Sequence, residues 1–420
     1  MESSSRTNGP TAMIEPWVEA VEVAIGELRA WPKNEIHIFH HNDADGLCSG
    51  AILTRAFERD GYRVHRLCLE KPYPEVLERL FEEDGQIFVF ADFAGRIAPM
   101  LSGLNRGRNL TLILDHHAAR EATDPRVHNL DPDLFGLKGD RDISASTTCY
   151  LFAGSLDPAN RDMADLAALG AVGDEFFVEG RLVSENRAAA MEAVRQGRLE
   201  IQEAERGERY ILRTSRGELP CDRFAAYLDV LGGVGYYRGG PEVAVRVCLD
   251  GFSEESDRMA GELEATRTRA FESEIARLKA GALRYSPHIQ WFHVENRFSP
   301  MGVKTIGAFC DAIKNADWID PGRYVAGFQA IPDEIPGFGP VALDQVKISM
   351  RVPAYLEGEI RRERAMGLDR LLPDATDRLG GFSDACHSLT AATTVAKGKE
   401  ESLIEEMERI LETHSSSPGG

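Results

Sequence analysis

Residues 37–46 read HIFHHNDADG and concentrate side chains that can bind a metal ion. An apolar, strand-like run ends at His40 and His41, and Asp43 and Asp45 follow before a helical pattern begins. Carboxylates placed so close together repel each other unless a cation or a proton lies between them. Mixed imidazole and carboxylate ligands suit Mn, Zn or Fe, whereas Mg²⁺ alone rarely recruits histidine. For this stretch alone, an Asp-rich turn that caps the following helix is the competing interpretation.

Three later segments repeat this pattern, in which an apolar strand or helix is followed directly by an acid or a histidine. They are the runs IFVFA and LTLIL and a helix of small residues, which end respectively at Asp92, at Asp115-His116-His117 and at Asp174. A single aspartate after a strand usually caps a helix, but four segments that end in this way in one region are hard to explain as caps. Side chains that follow parallel strands enter the crevice where open α/β sheets bind ligands. The four segments together therefore favour a metal centre.

In this order, the motifs HNDADG, ADFAG, LDHH and AVGD resemble the four motifs of the DHH phosphoesterase family. Within that family the sequence is most similar to the RecJ-like nucleases of the archaeal type. The resemblance covers residues 35–180 and, more loosely, residues 289–410. It implies an α/β protein with a parallel-sheet DHH domain, a helical linker and a smaller α/β C-terminal domain of the DHH-associated type. It also implies an active site in the cleft between the domains.

The resemblance further implies a role for each site residue. Two metal ions about 3.5–4 Å apart would activate a water molecule and clamp the phosphate. The implied ligands, with Asp92 as the bridge between the ions, are His41, Asp43, Asp45, Asp92, His116 and Asp174. Asp115 would hold an imidazole in its tautomer, and His117 would face the scissile phosphate as an electrophile or as the acid for the leaving oxygen. The imidazole ligands favour Mn²⁺, with Mg²⁺ as an alternative and Co²⁺ as a substitute.

Three polar residues near the motifs have roles that the sequence leaves open. His40 is either a structural neighbour or an additional hydrogen-bond donor beside the ligands. In the family a similar Ser-rich helix start packs beneath the metal site. The resemblance therefore gives Ser144 and Ser146 a supporting role at most.

Composition excludes several classes of protein. A chain of 420 residues exceeds what one core usually holds, so we expect two domains. No run approaches the ~18 apolar residues of a membrane helix, and the polar N-terminus lacks a signal core, so we expect neither a membrane span nor export. Seven scattered cysteines without a CxxC pair indicate reduced thiols in the cytoplasm. The net charge of −20 opposes charge-driven binding to long nucleic acid, but it is compatible with a local phosphate pocket.

Alternating strands and helices predict a parallel sheet covered on both faces in the first domain. Its strands are expected at 36–40, 63–68, 86–91, 110–114 and 126–130. A charged pattern predicts one long helix at 253–283. The predicted organisation is a disordered tail at 1–12, the metal-binding domain at 13–180, a mostly helical middle region and linker at 181–285, the second domain at 286–413 and a disordered tail at 414–420.

The second domain contains the candidate substrate-binding residues. Residues 379–392 read LGGFSDACHSLTAA, which resembles the glycine-rich motif of the DHH-associated domain. The sequence departs from that motif because a phenylalanine follows Gly380 and Gly381 and the histidine comes later, at His387. Backbone N–H groups near paired glycines can hold phosphate oxygens, and Arg351 can add a bidentate contact. The alternative is a strand-to-helix turn and a salt-bridged surface arginine.

The leading functional hypothesis is a Mn²⁺-dependent phosphodiesterase that releases mononucleotides from ends of single-stranded DNA or RNA or from short oligonucleotides. Short substrates are favoured because no segment resembles the terminal barrel with which a processive RecJ would bind long strands. Cyclic dinucleotide or phosphoadenosine phosphatase activity and polyphosphate hydrolysis would use the same residues. A catalytically silent partner in a replication or repair complex is the alternative of another class, and the intact ligand set speaks against it. The sequence leaves a homodimer open.

Overall fold

The computed structural model describes residues 15–415, except for the side chains of residues 382–385 and 415. Residues 1–12 and 416–420 of the two predicted tails lie outside the described residues. Residues 414 and 415 belong to the last helix, so the second predicted tail begins too early. The described chain divides into two compact units. The first holds residues up to 232, 239–260 and 336–338, and the second holds 233–238, 261–335 and the residues from 339 onwards.

The first unit is built around a five-stranded parallel sheet with the order β2-β1-β3-β4-β5. Its strands are β1 (Glu35–His40), β2 (Arg63–Cys68), β3 (Ile87–Ala91), β4 (Leu110–Leu114) and β5 (Val127–Asn129). The apolar runs of β3 and β4 are buried at every position, as expected for strands covered on both faces. All five predicted strands are confirmed, with ends that differ by no more than about one residue.

Nine α-helices accompany this sheet in the described part of the first unit. They are α1 (Glu15–Ala30), α2 (Ala44–Arg59), α3 (Pro74–Leu80), α4 (Ala98–Asn105), α5 (Ala145–Leu156), α6 (Ala164–Gly173), α7 (Ser184–Arg195), α8 (Cys221–Asp229) and α9 (Gly240–Asp250). The helices α2, α5 and α6 pack against one another. Their small residues make this possible, because alanine and glycine allow helix backbones to approach closely.

Residues 199–220 are an exception within the middle region, which is mostly helical as predicted. They form a three-stranded antiparallel sheet of β6 (Leu199–Glu203), β7 (Glu208–Thr214) and β8 (Gly217–Pro220). Glutamate and arginine are frequent in these strands, so their charge resembles that of a solvated helix face. A strand at the surface also exposes alternate side chains, so charge density does not distinguish the two.

The second unit is built around a six-stranded mixed sheet with the order β15-β16-β14-β11-β10-β9. Its strands are β9 (Arg284–Tyr285), β10 (Ile289–His293), β11 (Tyr324–Ala330), β14 (Gln345–Arg351), β15 (Phe382–Cys386) and β16 (Thr390–Ala396), and a separate hairpin joins β12 (Glu334–Ile335) to β13 (Gly339–Pro340). The helices are α10 (Glu254–Arg277), α11 (Thr305–Ile313), α12 (Ala354–Arg361), α13 (Leu368–Arg378) and α14 (Glu400–Ser415). Leucine-rich faces of α13 and α14 join the strands in one apolar core.

The helix α10 runs from the first unit into the second, since its residues up to 260 belong to the first. It ends at Arg277, earlier than the predicted helix, because a π-helical turn follows in which Gly281 has a φ of 106°. The α/β class, with a parallel sheet followed by a second α/β domain, is confirmed. Within residues 15–415, no helix combines the length and the apolar character that a membrane span requires.

Candidate metal centre

Three neighbouring strands end at the same height and deliver the acidic and imidazole groups. The register pairs His40 of β1 with Ala91 of β3, and Ala91 with Leu114 of β4. The residues that follow these three positions therefore emerge side by side at the carboxyl edge of the sheet. The strand order reverses between β1 and β3, which is where open α/β sheets form a ligand crevice.

The first set of ligand atoms, called here the His41 group, comprises His41, Asp43 and Asp92. The Nδ1 atom of His41 lies 2.9 Å from Oδ2 of Asp43 and 3.3 Å from Oδ2 of Asp92. Its Nε2 donates a hydrogen bond of 3.1 Å to the Glu70 carbonyl, so the lone pair of Nδ1 faces two carboxylates. Asp92 has a φ of 66°, which is uncommon for a residue with a side chain and typical of functional sites.

The second set, called here the His116 group, comprises Asp45, His116 and Asp174, whose ligand atoms lie within 4.8 Å of one another. The Nδ1 atom of His116 donates to the Gly139 carbonyl at 2.5 Å. Its Nε2 lies 3.4 Å from Oδ1 of Asp92 and 3.5 Å from Oδ2 of Asp174. The two oxygens of Asp92 therefore face imidazoles of different groups.

This donor set fits a pair of divalent transition-metal ions. Asp92 and His116 are buried, and Oδ2 of Asp92 and Nε2 of His116 have no hydrogen-bond partner among residues 15–415. Buried polar atoms without partners are costly, and here one such acceptor lies in each ligand group. A cation that accepts both nitrogen and oxygen ligands, such as Mn²⁺, would satisfy them. The structure thus gathers all six predicted ligands in two groups, with Asp92 between them.

The start of α5 supports Asp45. The two oxygens of Asp45 accept hydrogen bonds from the N–H groups of Ala145 at 2.8 Å and Ser146 at 3.1 Å, where the helix dipole favours negative charge. Burial and the neighbouring carboxylates nevertheless raise the pKa of Asp45 to about 8. The Ser144 hydroxyl caps the same helix. Both serines therefore lie where the predicted supporting role would place them, beneath the ligands.

His117 lies in the same crevice but makes different contacts. Its Nδ1 donates to Oδ1 of Asp115 at 2.7 Å, and Oδ2 of Asp115 accepts from the Gly95 N–H at 2.8 Å. Despite burial, the two adjacent imidazoles hold the pKa of Asp115 well below its usual range. Burial and the charge of His116 oppose protonation of His117, yet Asp115 raises the pKa of that ring. The side chain of His117 is 46% exposed, so its Nε2 can meet a substrate.

The structure gives His40 a structural role. Its ring is buried, and its Nδ1 donates to the His41 carbonyl at 2.8 Å. The ring packs against Gly50, where an added Cβ would lie 2.7 Å from the ring Cδ2. Burial lowers the pKa of His40 to about 4, so the ring is neutral at pH 7. His40 therefore supports the peptide that carries a ligand.

Comparison with known proteins finds a family similarity for the part of the chain that carries most of these ligands. Residues 35–171 match the family model described as the N-terminal domain of the DHH family. The chain carries a DHH-family domain. An uncharacterised protein of Methanocaldococcus jannaschii is 32% identical over 164 residues, which cover 37% of this chain and 37% of that protein. The chain thus matches only part of that relative's length.

Solved structures resemble this chain along most of its length. The exonuclease RecJ bound to manganese has a TM-score of 0.57 at 18% identity and covers 97% of both chains. RecJ of Thermus thermophilus in complex with Mn²⁺ has a TM-score of 0.57 at 18% identity, covering 96% of this chain and 55% of that one. CDC45 from Entamoeba histolytica has a TM-score of 0.58 at 11% identity, covering 94% and 99%. At these identities the likeness concerns the fold, which is RecJ-like.

Sequence reasoning missed two glycines that the DHH site requires. An added Cβ at Gly139 would lie 1.4 Å from the His116 carbonyl oxygen, and one at Gly170 would lie 2.3 Å from Oδ1 of Asp45. Both glycines let another segment approach a ligand residue. The run of small residues in α6 was a signal for Gly170. The loop that contains Gly139 carried no comparable pattern.

The predicted glycine pair lies in the second unit, at the end of α13. Gly380 has a φ of 69°, and its N–H donates to the Asp377 carbonyl, while the Gly381 N–H donates to the Thr376 carbonyl. The pair therefore ends a helix and leads into the strand β15, the reverse of the predicted strand-to-helix turn. Because both N–H groups already have acceptors, the contacts favour a capping role. Phosphate binding by these glycines remains a prediction.

The other two predicted substrate residues lie at one end of the second sheet. The Nε atom of Arg351 donates to Asp311 at 2.7 Å, and Nη1 donates to the Met350 carbonyl at 2.9 Å. Arg351 is paired in register with Thr390 at the start of β16, and His387 lies exposed in the turn just before it. The ion pair favours a structural arginine, and substrate binding by either residue remains a prediction.

Metal binding to the DHH domain is expected to release protons near neutral pH. The pKa of Asp45 is about 8, and despite burial the surrounding carboxylates hold the pKa of His116 well above its ordinary value. Both groups must lose their protons to bind a metal, so Mn²⁺ affinity should rise between pH 6 and 8 by about tenfold per pH unit for each proton released. Calorimetry in buffers of different ionisation enthalpy measures this proton number. Affinity that stays constant across this range would contradict the ligand assignment.

Proposed function

We propose that this protein is a metal-dependent phosphodiesterase that releases mononucleotides from the ends of short single-stranded nucleic acids. The observation that supports it most is the position of Asp92, whose two oxygens face imidazoles of two ligand groups. A shared carboxylate between two such groups is typical of centres that clamp a phosphate between two ions. The DHH family match supports phosphoester chemistry, and the RecJ-like fold supports a nuclease.

When bound, the two divalent ions supply a strong nucleophile from water and cover for negative charge on the phosphoryl oxygens. The residues of the chain would hold the ions and orient the groups around them. Asp92 spans the two groups, and α5 holds Asp45 through backbone N–H groups. Asp115 accepts the Nδ1–H of His117 and so directs the opposite ring nitrogen towards the crevice. Against the effect of burial, Asp115 raises the pKa of His117, which favours a proton on Nε2 for donation to the leaving oxygen.

Charge supports short substrates over long ones. The chain has 68 acidic and 48 basic residues, and long nucleic acid binds chiefly by neutralising many phosphates. A substrate that presents a single end to the two ligand groups avoids most of this repulsion. We therefore place short oligonucleotides ahead of long strands, and Mn²⁺ ahead of Mg²⁺ because each group contains an imidazole.

One side-by-side experiment tests the proposal. Purified protein is stripped with a chelator, reloaded with Mn²⁺ or Mg²⁺, and offered labelled single-stranded DNA, RNA, a dinucleotide, a cyclic dinucleotide and polyphosphate. We expect no turnover without metal, and release of mononucleotides that is faster with Mn²⁺ and with the short substrates. Turnover that survives complete chelation would refute the mechanism. Protein that binds Mn²⁺ but cleaves none of these substrates would indicate a silent binding partner.

Two variants test whether the second unit holds a phosphate. If Arg351 contacts the substrate, Arg351→Ala should raise KM for a dinucleotide by about ten- to a hundredfold, the value of a charge-assisted hydrogen bond. Asp311→Ala should then leave KM unchanged or lower it, because it frees the guanidinium from its ion pair. If Arg351 is only structural, the two variants should have the same effect. KM measured on a dinucleotide and a 20-mer distinguishes these outcomes.

A further inference from the structure

The peptide group of Ala44 connects the two ligand groups. Asp43 belongs to the His41 group, Asp45 belongs to the His116 group, and Ala44 is the single residue between them. Rotation of this peptide would move both carboxylates at once. Ala44 is also the first residue of α2, so its N–H has no acceptor within that helix.

Asp229, the last residue of α8, supplies the acceptor. Its Oδ1 accepts the Ala44 N–H at 2.9 Å, across 185 positions of sequence. Ala44 itself is buried, so this donor is largely shielded from solvent. Meanwhile Oδ1 of Asp43 accepts the Gly46 N–H at 3.0 Å, and its Oδ2 faces His41. At the start of α2, Asp229 thus accepts the Ala44 N–H and Asp43 accepts the Gly46 N–H, while Oδ2 of Asp43 belongs to the His41 group.

Neighbouring segments hold the same loop closely. An added Cβ at Gly232, just beyond α8, would lie 2.0 Å from the carbonyl oxygen of Asn42. From α6, an added Cβ at Gly173 would lie 2.7 Å from the Cβ of Ala44. The backbone on both sides of the Ala44 N–H is therefore closely packed. A peptide confined in this way depends on its hydrogen-bond partner for its final orientation.

We propose that Asp229 is a positioning residue of the metal centre, holding the peptide between Asp43 and Asp45 and so setting the spacing of the two ligand groups. Asp229 lies outside residues 35–171, which match the DHH family model. The inference rests on the proposed metal-dependent function. It adds that the middle region of the chain determines how tightly the centre binds metal.

Mn²⁺ affinity, measured by calorimetry on the 420-residue chain, tests the proposal separately from activity. We expect Asp229→Ala to weaken binding by about tenfold or more, the usual effect of losing a residue that orients a ligand. Asp229→Asn keeps an oxygen at the acceptor position and should restore most of that affinity. Asp222→Ala is the matched control, since Asp222 is an exposed carboxylate on the same helix. It should bind Mn²⁺ like the wild type.

Three results would overturn the inference. Wild-type affinity in Asp229→Ala would show that the contact positions nothing. Equal losses in Asp229→Asn and Asp229→Ala would show that Asp229 acts through its charge. An equal loss in Asp222→Ala would show a general effect of surface charge. If Asp229→Ala does not fold, Asp229→Ser replaces it, since a serine hydroxyl is too short to take the same bond. Wild-type protein that fails to bind Mn²⁺ would instead refute the proposed function.

Discussion

Asp92→Asn is expected to abolish phosphodiester hydrolysis and to remove at least one bound metal ion. The two carboxylate oxygens of Asp92 lie 3.3 and 3.4 Å from the imidazoles of the two ligand groups. An asparagine offers one oxygen and places an NH₂ group, which cannot bind a cation, against the other group. We expect kcat to fall by about 10³-fold or more, equivalent to about 4 kcal/mol of transition-state stabilisation. Steady-state kinetics with Mn²⁺ and metal analysis of the purified variant measure both effects.

The same substitution should not unfold the protein. Removing one carboxylate from a crowded acidic crevice relieves repulsion, so metal-free Asp92→Asn should unfold at the wild-type temperature or slightly above it. Asp84→Asn is the matched control, because it removes the same charge from an exposed carboxylate whose only role is an ion pair with Arg108 in the described structure. A variant of Asp92 that retains more than a few per cent of kcat with two ions bound would show that the centre is misassigned.

His117→Ala is expected to lower kcat by about 10²- to 10⁴-fold, the usual contribution of a general acid, while both metal ions stay bound. We expect kcat to fall without loss of metal because Nδ1 of His117 is hydrogen-bonded to Asp115 and the ring is partly exposed. His117 also lies within ligand distance of Asp92 and His116, so the geometry alone admits a ligand role. Metal stoichiometry therefore has to be measured together with kcat.

The leaving group provides a sharper test of His117. A nitrophenyl ester of a nucleotide needs no proton on its departing oxygen, whereas an ordinary internucleotide bond does. The loss caused by His117→Ala should therefore be much smaller on the nitrophenyl ester. Equal losses on both substrates, or loss of one metal ion, would identify His117 as a ligand or an electrostatic contact. Asp115→Ala should reproduce part of the effect, because it leaves the imidazole without its acceptor.

The convergence of the ligands was predictable because the elements that carry them have strong sequence signals. The runs before Asp92 and Asp115 are short, apolar and β-prone, and such runs in alternation with helices form parallel sheets. Parallel strands end at one edge, so residues that directly follow different strands must lie near each other. The small-residue helix before Asp174 was a weaker signal of the same kind.

The three strands of the middle region were not predicted, for the opposite reason. The strands β6 to β8 carry charge on exposed positions, and that pattern resembles a solvated helix. Asp229 ends a charged, amphipathic helix and looked like any surface acid. Its contact with Ala44 joins residues 185 positions apart, and no local pattern encodes such a distance.

The sequence by itself determined which side chains gather at the sheet edge, because ligand type and strand periodicity are local properties of the chain. Only the tertiary structure decided how they face one another. It turned Asp92 to a positive φ between two imidazoles, placed Asp45 on the N-terminus of α5 and used the N–H groups of Gly380 and Gly381 to end a helix. These outcomes depend on which distant backbone groups lie within hydrogen-bonding distance of each donor or acceptor, and the packing of the whole chain determines that.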